Sequence, residues 1–234
     1  MTARCSPCIT TCVLIRGSSN VRERYHSRVT TRVPLFRIID GGDTPFLLRW
    51  ENPPDFSDDE LLEFIENNDD FEIEQECDGS LLISSGVTFL TNRHETQVLV
   101  QLVAWAEKDG TGEALGPTGR YLLANKAKLG PDAAWIRHER IAALSAYEIR
   151  HIPPLVPDFL VEVRSESQGL RRLRAKMEEW IANGVRLGWL LDTEHTTAYV
   201  YRPGADVQVV ENAATLDASP ELPGFVLDLA KIWR

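Results

Sequence analysis

The 234-residue chain has no apolar run long enough to cross a membrane, which excludes a spanning helix. The segment Ile9 to Ile15 is short and lies between Arg4 and Arg16, so a secretory signal has little to rest on. A soluble, cytoplasmic protein is expected. There is no glycine-rich phosphate loop, no Ser-His-Asp order and no H-E-x-x-H motif, which removes the commonest sequence signatures of nucleotide hydrolysis, acyl transfer and zinc proteolysis. Cysteine is scarce, at positions 5, 8, 12 and 77. The first three form C-x-x-C-x-x-x-C, one ligand short of a four-coordinate zinc or iron–sulfur site, with His26 the nearest histidine. The plainer reading is a leader whose cysteines are incidental.

Basic residues are missing from 51–79, where 13 acidic residues stand without a single Lys or Arg. The net charge of −10 counts against a nucleic-acid binder, because phosphate backbones favour basic surfaces. The distribution softens that objection. Residues 1–40 carry seven Arg against Glu23 and Asp40, and from residue 80 onward 17 basic residues face 19 acidic ones.

The hydrophobic content of 43% is enough for one substantial core. Residues 1–47 show no sustained periodicity and are expected to be a poorly ordered leader, with Asn52-Pro53-Pro54 marking a boundary. Ser57 or Asp58 caps a helix to about Glu66. Phe71 to Glu76 and Leu81 to Ser84 make a hairpin about Asp78-Gly79. A helix is predicted from Asn92 to about Lys108, stopped by Asp109-Gly110. Strands follow at about 112–116, 119–124 and 131–136, then a short helix over 138–148 and a strand over 158–164. A helix over 169–183 ends at Gly184. Leu187–Leu191, Ala198–Tyr201 and Val207–Val210 read as strands, and Phe225–Trp233 as a strand or short helix. This order argues for an α/β or α+β domain around one mixed β-sheet flanked by helices.

Chemistry concentrates in Pro131-Asp132, in Pro157 to Arg164 and in Lys176. Asp158, Leu160, Glu162 and Arg164 share one strand face. Asp158 and Glu162 lie roughly 13 Å apart along that strand, too far for one ion. Asp158 is therefore read as a turn or strand cap. Asp132 is the better partner, since cross-strand neighbours about 5 Å apart can hold one hard cation such as Mg2+ or Mn2+ between two carboxylates. Alone, Asp132 reads as a turn aspartate and Glu162 as a solvent-facing one; together they favour a metal site. Lys176 lies roughly 60° from Leu173 around its helix, nearer the apolar stripe than the other charges of that helix. It could position water or stabilise charge on a phosphate, or simply cover the apolar boundary. Arg164 is a poor general base but could bind phosphate. Arg171 and Arg172 are weaker candidates for a nucleic-acid backbone, in a run that otherwise reads as a solvated helix face. His94 and Glu95 read as a first-turn pair favoured by the helix dipole or as residues at the site mouth, and Glu74 is a weak third carboxylate.

From about Leu48 to Trp233 the chain resembles the Uma-two restriction endonuclease family of the PD-(D/E)xK nuclease superfamily. The resemblance rests on Glu74 with Asp78-Gly79, Asn92-Arg93-His94, Trp105 to Gly112, Gly130 to Trp135, Pro157 to Ser167, Lys176-Met177, Gly184 to Trp189 and Leu222 to Phe225. It implies a restriction-endonuclease-like core with a magnesium- or manganese-dependent site. Asp132 matches the family's first strand acid, Glu162 its second, Lys176 a lysine moved from the strand to the next helix, and Glu74 an early acidic position. Ser165-Glu166-Ser167 departs from the usual Ser-Pro-Ser, and Gln168-Gly169 from the usual polar pair. Residues 1–47 fall outside the resemblance. DNA is the implied substrate, a homodimer an allowed assembly, and no membrane partner is expected. The competing reading is a catalytically silent, nuclease-derived binding or scaffold protein, motivated by the acidic 51–79 segment and by Arg rather than Lys at 164.

Overall fold

The computed structural model describes residues 36–39, 46–50, 56–68, 71–166 and 168–234. Cys5, Cys8, Cys12 and His26, and with them most of the expected leader, lie outside the described residues.

Fourteen strands and four α-helices follow in chain order among these residues. They begin with β1 (Phe36–Ile39), β2 (Phe46–Trp50), α1 (Asp58–Glu66), β3 (Phe71–Gln75), β4 (Leu81–Ser85), α2 (Phe89–Asp109) and β5 (Gly112–Leu115). Next come β6 (Tyr121–Leu122), β7 (Lys128–Leu129), β8 (Ala133–Arg137), α3 (His138–Ile141), β9 (Phe159–Val163) and α4 (Leu170–Ala182). The chain closes with β10 (Leu187–Asp192), β11 (Thr197–Tyr201), β12 (Gln208–Glu211), β13 (Thr215–Asp217) and β14 (Val226–Asp228).

Local chemistry explains the boundaries. Ser57 and Glu60 form a reciprocal capping box at the start of α1, each satisfying the other's backbone N–H. Thr88 caps α2 three residues earlier than the periodicity predicts, because Phe89 and Leu90 in its first turn are exposed and add nothing to the apolar stripe. Gly110 ends α2 with a φ of 70°, a left-handed turn that glycine takes without steric cost.

The strands form two six-stranded sheets, ordered β1-β2-β4-β3-β7-β6 and β12-β11-β10-β9-β8-β5, with β13-β14 as a separate hairpin. This departs from the single mixed sheet expected from sequence. The β3–β4 hairpin pairs outward with β2 rather than with the central strands. The two-residue strands β6 and β7 are too short to show periodicity. No element was expected before residue 48, yet β1 and β2 pair antiparallel there. The helix expected over 138–148 is a four-residue α3 followed by a separate 3-10 turn at Glu148–Arg150.

In the second sheet only β9 and β10 run parallel, joined through α4. Every residue of β9 is buried, so its two faces lie in two cores. Phe159, Val161 and Val163 pack in the core shared with Val98 and Leu102 of α2. Leu160 packs in the core shared with Leu173, Met177 and Trp180 of α4. Period-two alternation therefore sets Glu162 toward α4. Gly130-Pro131-Asp132 carries the chain from β7 in the first sheet to β8 in the second, and the chemistry gathers at that crossing.

Candidate active site

The register Ala133↔Val161 between β8 and β9, continued one step, sets Asp132 opposite Glu162. Asp132 Oδ2 accepts the Val163 backbone N–H at 2.6 Å. Lys176 reaches in from α4. Its Nζ donates to Gly130 O at 2.8 Å and lies 3.0 Å from Glu74 Oε1 and 3.0 Å from Glu162 Oε1. Glu74 Oε1 also accepts the Gly130 N–H at 2.7 Å. Trp180, one helical turn beyond Lys176, donates its Nε1–H to Glu162 Oε1 at 3.1 Å. The structure thus brings Glu74, Asp132, Glu162 and Lys176 to one cleft, whose cavity measures about 50 Å³.

Three carboxyl groups, Glu74, Asp132 and Glu162, crowd around one ammonium, with the Arg120 guanidinium the next cation on the cleft wall. Burial pushes Glu162 well above the ordinary carboxylate range; Lys176 opposes that, but Asp132 and Glu74 push the same way. Asp132 is raised by burial and then by the nearby Glu95. Burial would also raise Glu74, but Lys176, Arg120 and the Gly130 N–H together hold it low. Lys176 is held firmly protonated, because the surrounding carboxylates outweigh the burial that would neutralise it.

Excess negative charge on buried oxygens suits a hard divalent cation. Asp132 and Glu162 face each other as donors, and Asp132 Oδ1 accepts no hydrogen bond among the described residues. Among those residues, the one trio of candidate ligand atoms lying mutually within 4.8 Å is Asp192, Glu194 and His195. There Arg164 Nη1 already grips Asp192 at 2.9 and 3.1 Å and Glu194 at 3.0 Å, so the charge is spent. Glu74, Asp132 and Glu162 do not form such a trio, so an ion in the cleft would be held by two carboxylates and completed by water, as Mg2+ commonly is.

The other sequence candidates are scattered. Arg172 lines the cleft, with Nη2 2.7 Å from Glu76. Arg164 is committed to Asp192 and Glu194 and does not line the cavity. Arg171 is exposed on α4. His94 is buried near the carbonyl of Arg234, at 3.5 Å. Asp158 accepts the Arg137 N–H and pairs with Arg140, which makes it a strand-end clamp.

Two more residues belong to this neighbourhood: Arg120, which the sequence does not single out, and Glu95, which the sequence sets beside His94 at the helix start. Arg120 lines the cleft. Glu95 is 9% exposed, has no hydrogen-bond or ion-pair partner among the described residues, and is pushed up to about 7 by burial and then by Glu72 and Glu162. Its place on the buried stripe of α2 with Thr91, Val98 and Leu102 was readable, but nothing local told which end of β8 and β9 that stripe meets.

Helices on both faces of a mixed sheet, with carboxylates and a lysine meeting at the strand ends, define a restriction-endonuclease-like domain. The model of the Uma2 family, described as "Putative restriction endonuclease", matches residues 58–230, and the chain belongs to this nuclease family. A solved structure described as "a putative nuclease belonging to DUF820", from Anabaena variabilis ATCC 29413, superposes with a TM-score of 0.64 at 16% identity. The match covers 76% of this chain and 97% of that one. No curated protein matches the chain.

Proposed function

We propose that the protein is a divalent-metal-dependent endonuclease that hydrolyses phosphodiester bonds in DNA. The observation that carries this reading is the buried, under-compensated group of Glu74, Asp132 and Glu162 around Lys176, open to a cleft. Asp132 and Glu162 are the residues that would hold Mg2+ or Mn2+. When bound, the ion supplies positive charge to phosphate oxygens and makes water a stronger nucleophile at neutral pH.

The chain's own residues prepare that event. The Val163 N–H fixes Asp132, and Trp180 fixes Glu162. Lys176 holds Glu74 in its charged form, opposes the burial that raises Glu162, and ties both to the Gly130 crossing. Burial raises the strength of each of these interactions and keeps the carboxylates from wandering.

The test is cleavage of supercoiled and linear DNA with Mg2+ and Mn2+, comparing wild type with Asp132→Asn and Glu162→Gln. Metal-dependent cleavage abolished in both folded variants is expected. Cleavage that survives both substitutions, or that needs no metal, refutes the assignment. Wild-type protein that binds DNA or protein but never cleaves would support the silent binding module instead.

A further inference from the structure

From the geometry of the same cleft we infer that Arg120 is its phosphate clamp, donating Nη2–H to a non-bridging oxygen of the phosphodiester to be cut. This rests on the nuclease reading. An ammonium has three N–H donors, and Lys176 spends all of them inside the protein, on Gly130 O, Glu74 and Glu162. Lys176 therefore has none left for a substrate unless it releases a partner. A polyanion entering a cleft lined with carboxylates needs a cationic donor that is fixed and free.

Arg120 is both. Its Nε donates to Ile73 O at 3.1 Å, and its Nη1 donates to Pro117 O and Gly119 O, each at 3.2 Å. Three backbone carbonyls thus lock the plane of the guanidinium. Nη2 has no hydrogen-bond or ion-pair partner among the described residues, and the side chain lines the cleft with Glu74, Asp132, Glu162 and Lys176. A guanidinium already oriented loses little freedom on binding, and its remaining N–H groups match phosphate oxygens. Its position is built in: a Cβ on Gly130 would lie 2.3 Å from Arg120 Nη1 and 2.5 Å from Gly119 O. The residue whose N–H and carbonyl hold Glu74 and Lys176 is the one whose missing side chain makes room for Arg120. Arg172, the other arginine lining the cleft, is tied to Glu76 by its Nη2 and lacks this carbonyl cradle.

The test is binding of a fluorescent DNA duplex to the full chain with Ca2+ in place of Mg2+, followed by anisotropy over a series of salt concentrations, with cleavage measured in parallel. Arg120→Gln keeps an amide for the carbonyls and removes the charge. The expected result is roughly tenfold weaker binding and a salt slope reduced by about one phosphate contact, with the melting transition retained. A folded Arg120→Gln with wild-type affinity and slope overturns the clamp. Should that variant fail to melt cooperatively, Arg120→Lys decides. One ammonium cannot serve three carbonyls and a phosphate, so binding falls severalfold, and unchanged affinity in this variant overturns the assignment. The two readings fail differently. Wild type that binds duplex but never cleaves removes the nuclease reading while the Arg120 comparison still stands; wild type that does not bind the duplex removes both.

Discussion

Lys176 Nζ stands 3.0 Å from Glu162 Oε1, at a place where burial alone would drive both groups neutral. Lys176 cannot be removed cheaply, because it compensates Glu162 and Glu74 together, whereas without the Glu162 charge Lys176 still has Glu74. Lys176→Met is expected to lose about 3–5 kcal/mol at pH 8. The pH dependence has a definite sign. Without the ammonium, the folded carboxylates bind protons more readily than the unfolded ones, so stability falls as pH rises. Urea denaturation at pH 5 and pH 8 should show the smaller loss at pH 5. An equal loss at both would mean that packing, not charge, explains the lysine.

Metal binding should be visible without turnover. A cation that binds the folded state alone stabilises it by mass action, about 2.7 kcal/mol at a hundredfold excess over Kd. The melting temperature of wild type is expected to rise by several degrees with Mg2+. Asp132→Asn keeps an oxygen for the Val163 N–H, and Glu162→Gln keeps one for Trp180, so both should fold. The Mg2+-dependent rise should vanish in each. Thermal melts with and without chelator measure this directly, and a rise that persists in both variants places the metal elsewhere.

Much of this site was legible in sequence, for identifiable reasons. An acid inside an otherwise apolar strand, as in Phe159–Val163, reads alone as a solvent-facing glutamate; it is the pairing with Asp132 at the head of another strand that marks it. The helical phase of Lys176 relative to Leu173 and Met177 is fixed by 3.6-residue geometry. Glu74 was harder, because it stands among 13 acidic residues and only tertiary burial separates it from the exposed Glu72. Arg120 was not legible. Its partners are carbonyls of Ile73, Pro117 and Gly119, and backbone oxygens leave no trace in a residue pattern. The division into two sheets was hidden for a similar reason: it depends on the long-range pairing of β2 with β4 and on two-residue strands.

Glu95 offers a test of the electrostatics in metal-free protein. Its folded pKa of about 7, against an ordinary 4.5, means that the folded state holds a proton the unfolded state has lost. Below about pH 4.5 the group costs nothing; as pH rises through 7 the cost grows to its full value. Glu95→Gln removes it. A gain of order 2 kcal/mol at pH 8 and almost none at pH 4.5 is expected by chemical denaturation. A variant destabilised at pH 8 would show that the carboxylate has a favourable partner.

Trp180→Phe isolates the hold on Glu162. The ring volume is largely kept, but the Nε1–H donor to a buried carboxylate is lost. Stability should fall by about 1–3 kcal/mol. Cleavage should fall at least tenfold in kcat with KM little changed, since the indole orients a ligand and does not touch the substrate. Equal losses in kcat and in DNA affinity would contradict that division of labour.

Two glycines of the second sheet meet similar clashes and should differ in cost. A Cβ on Gly112 would lie 2.3 Å from Ile136 O and 2.7 Å from the Trp135 ring. That carbonyl belongs to β8, paired with β5 through Glu113↔Ile136, so it cannot retreat without opening the sheet beside the Asp132 strand. A Cβ on Gly188 would lie 2.5 Å from Met177 Cε, the far end of a flexible side chain. Methionine has three torsions with which to move its methyl aside. Gly112→Ala is therefore expected to cost about 3 kcal/mol and Gly188→Ala about 1 kcal/mol, measured by urea denaturation. The ordering is the test: it follows from what must move, backbone in one case and a side-chain tip in the other.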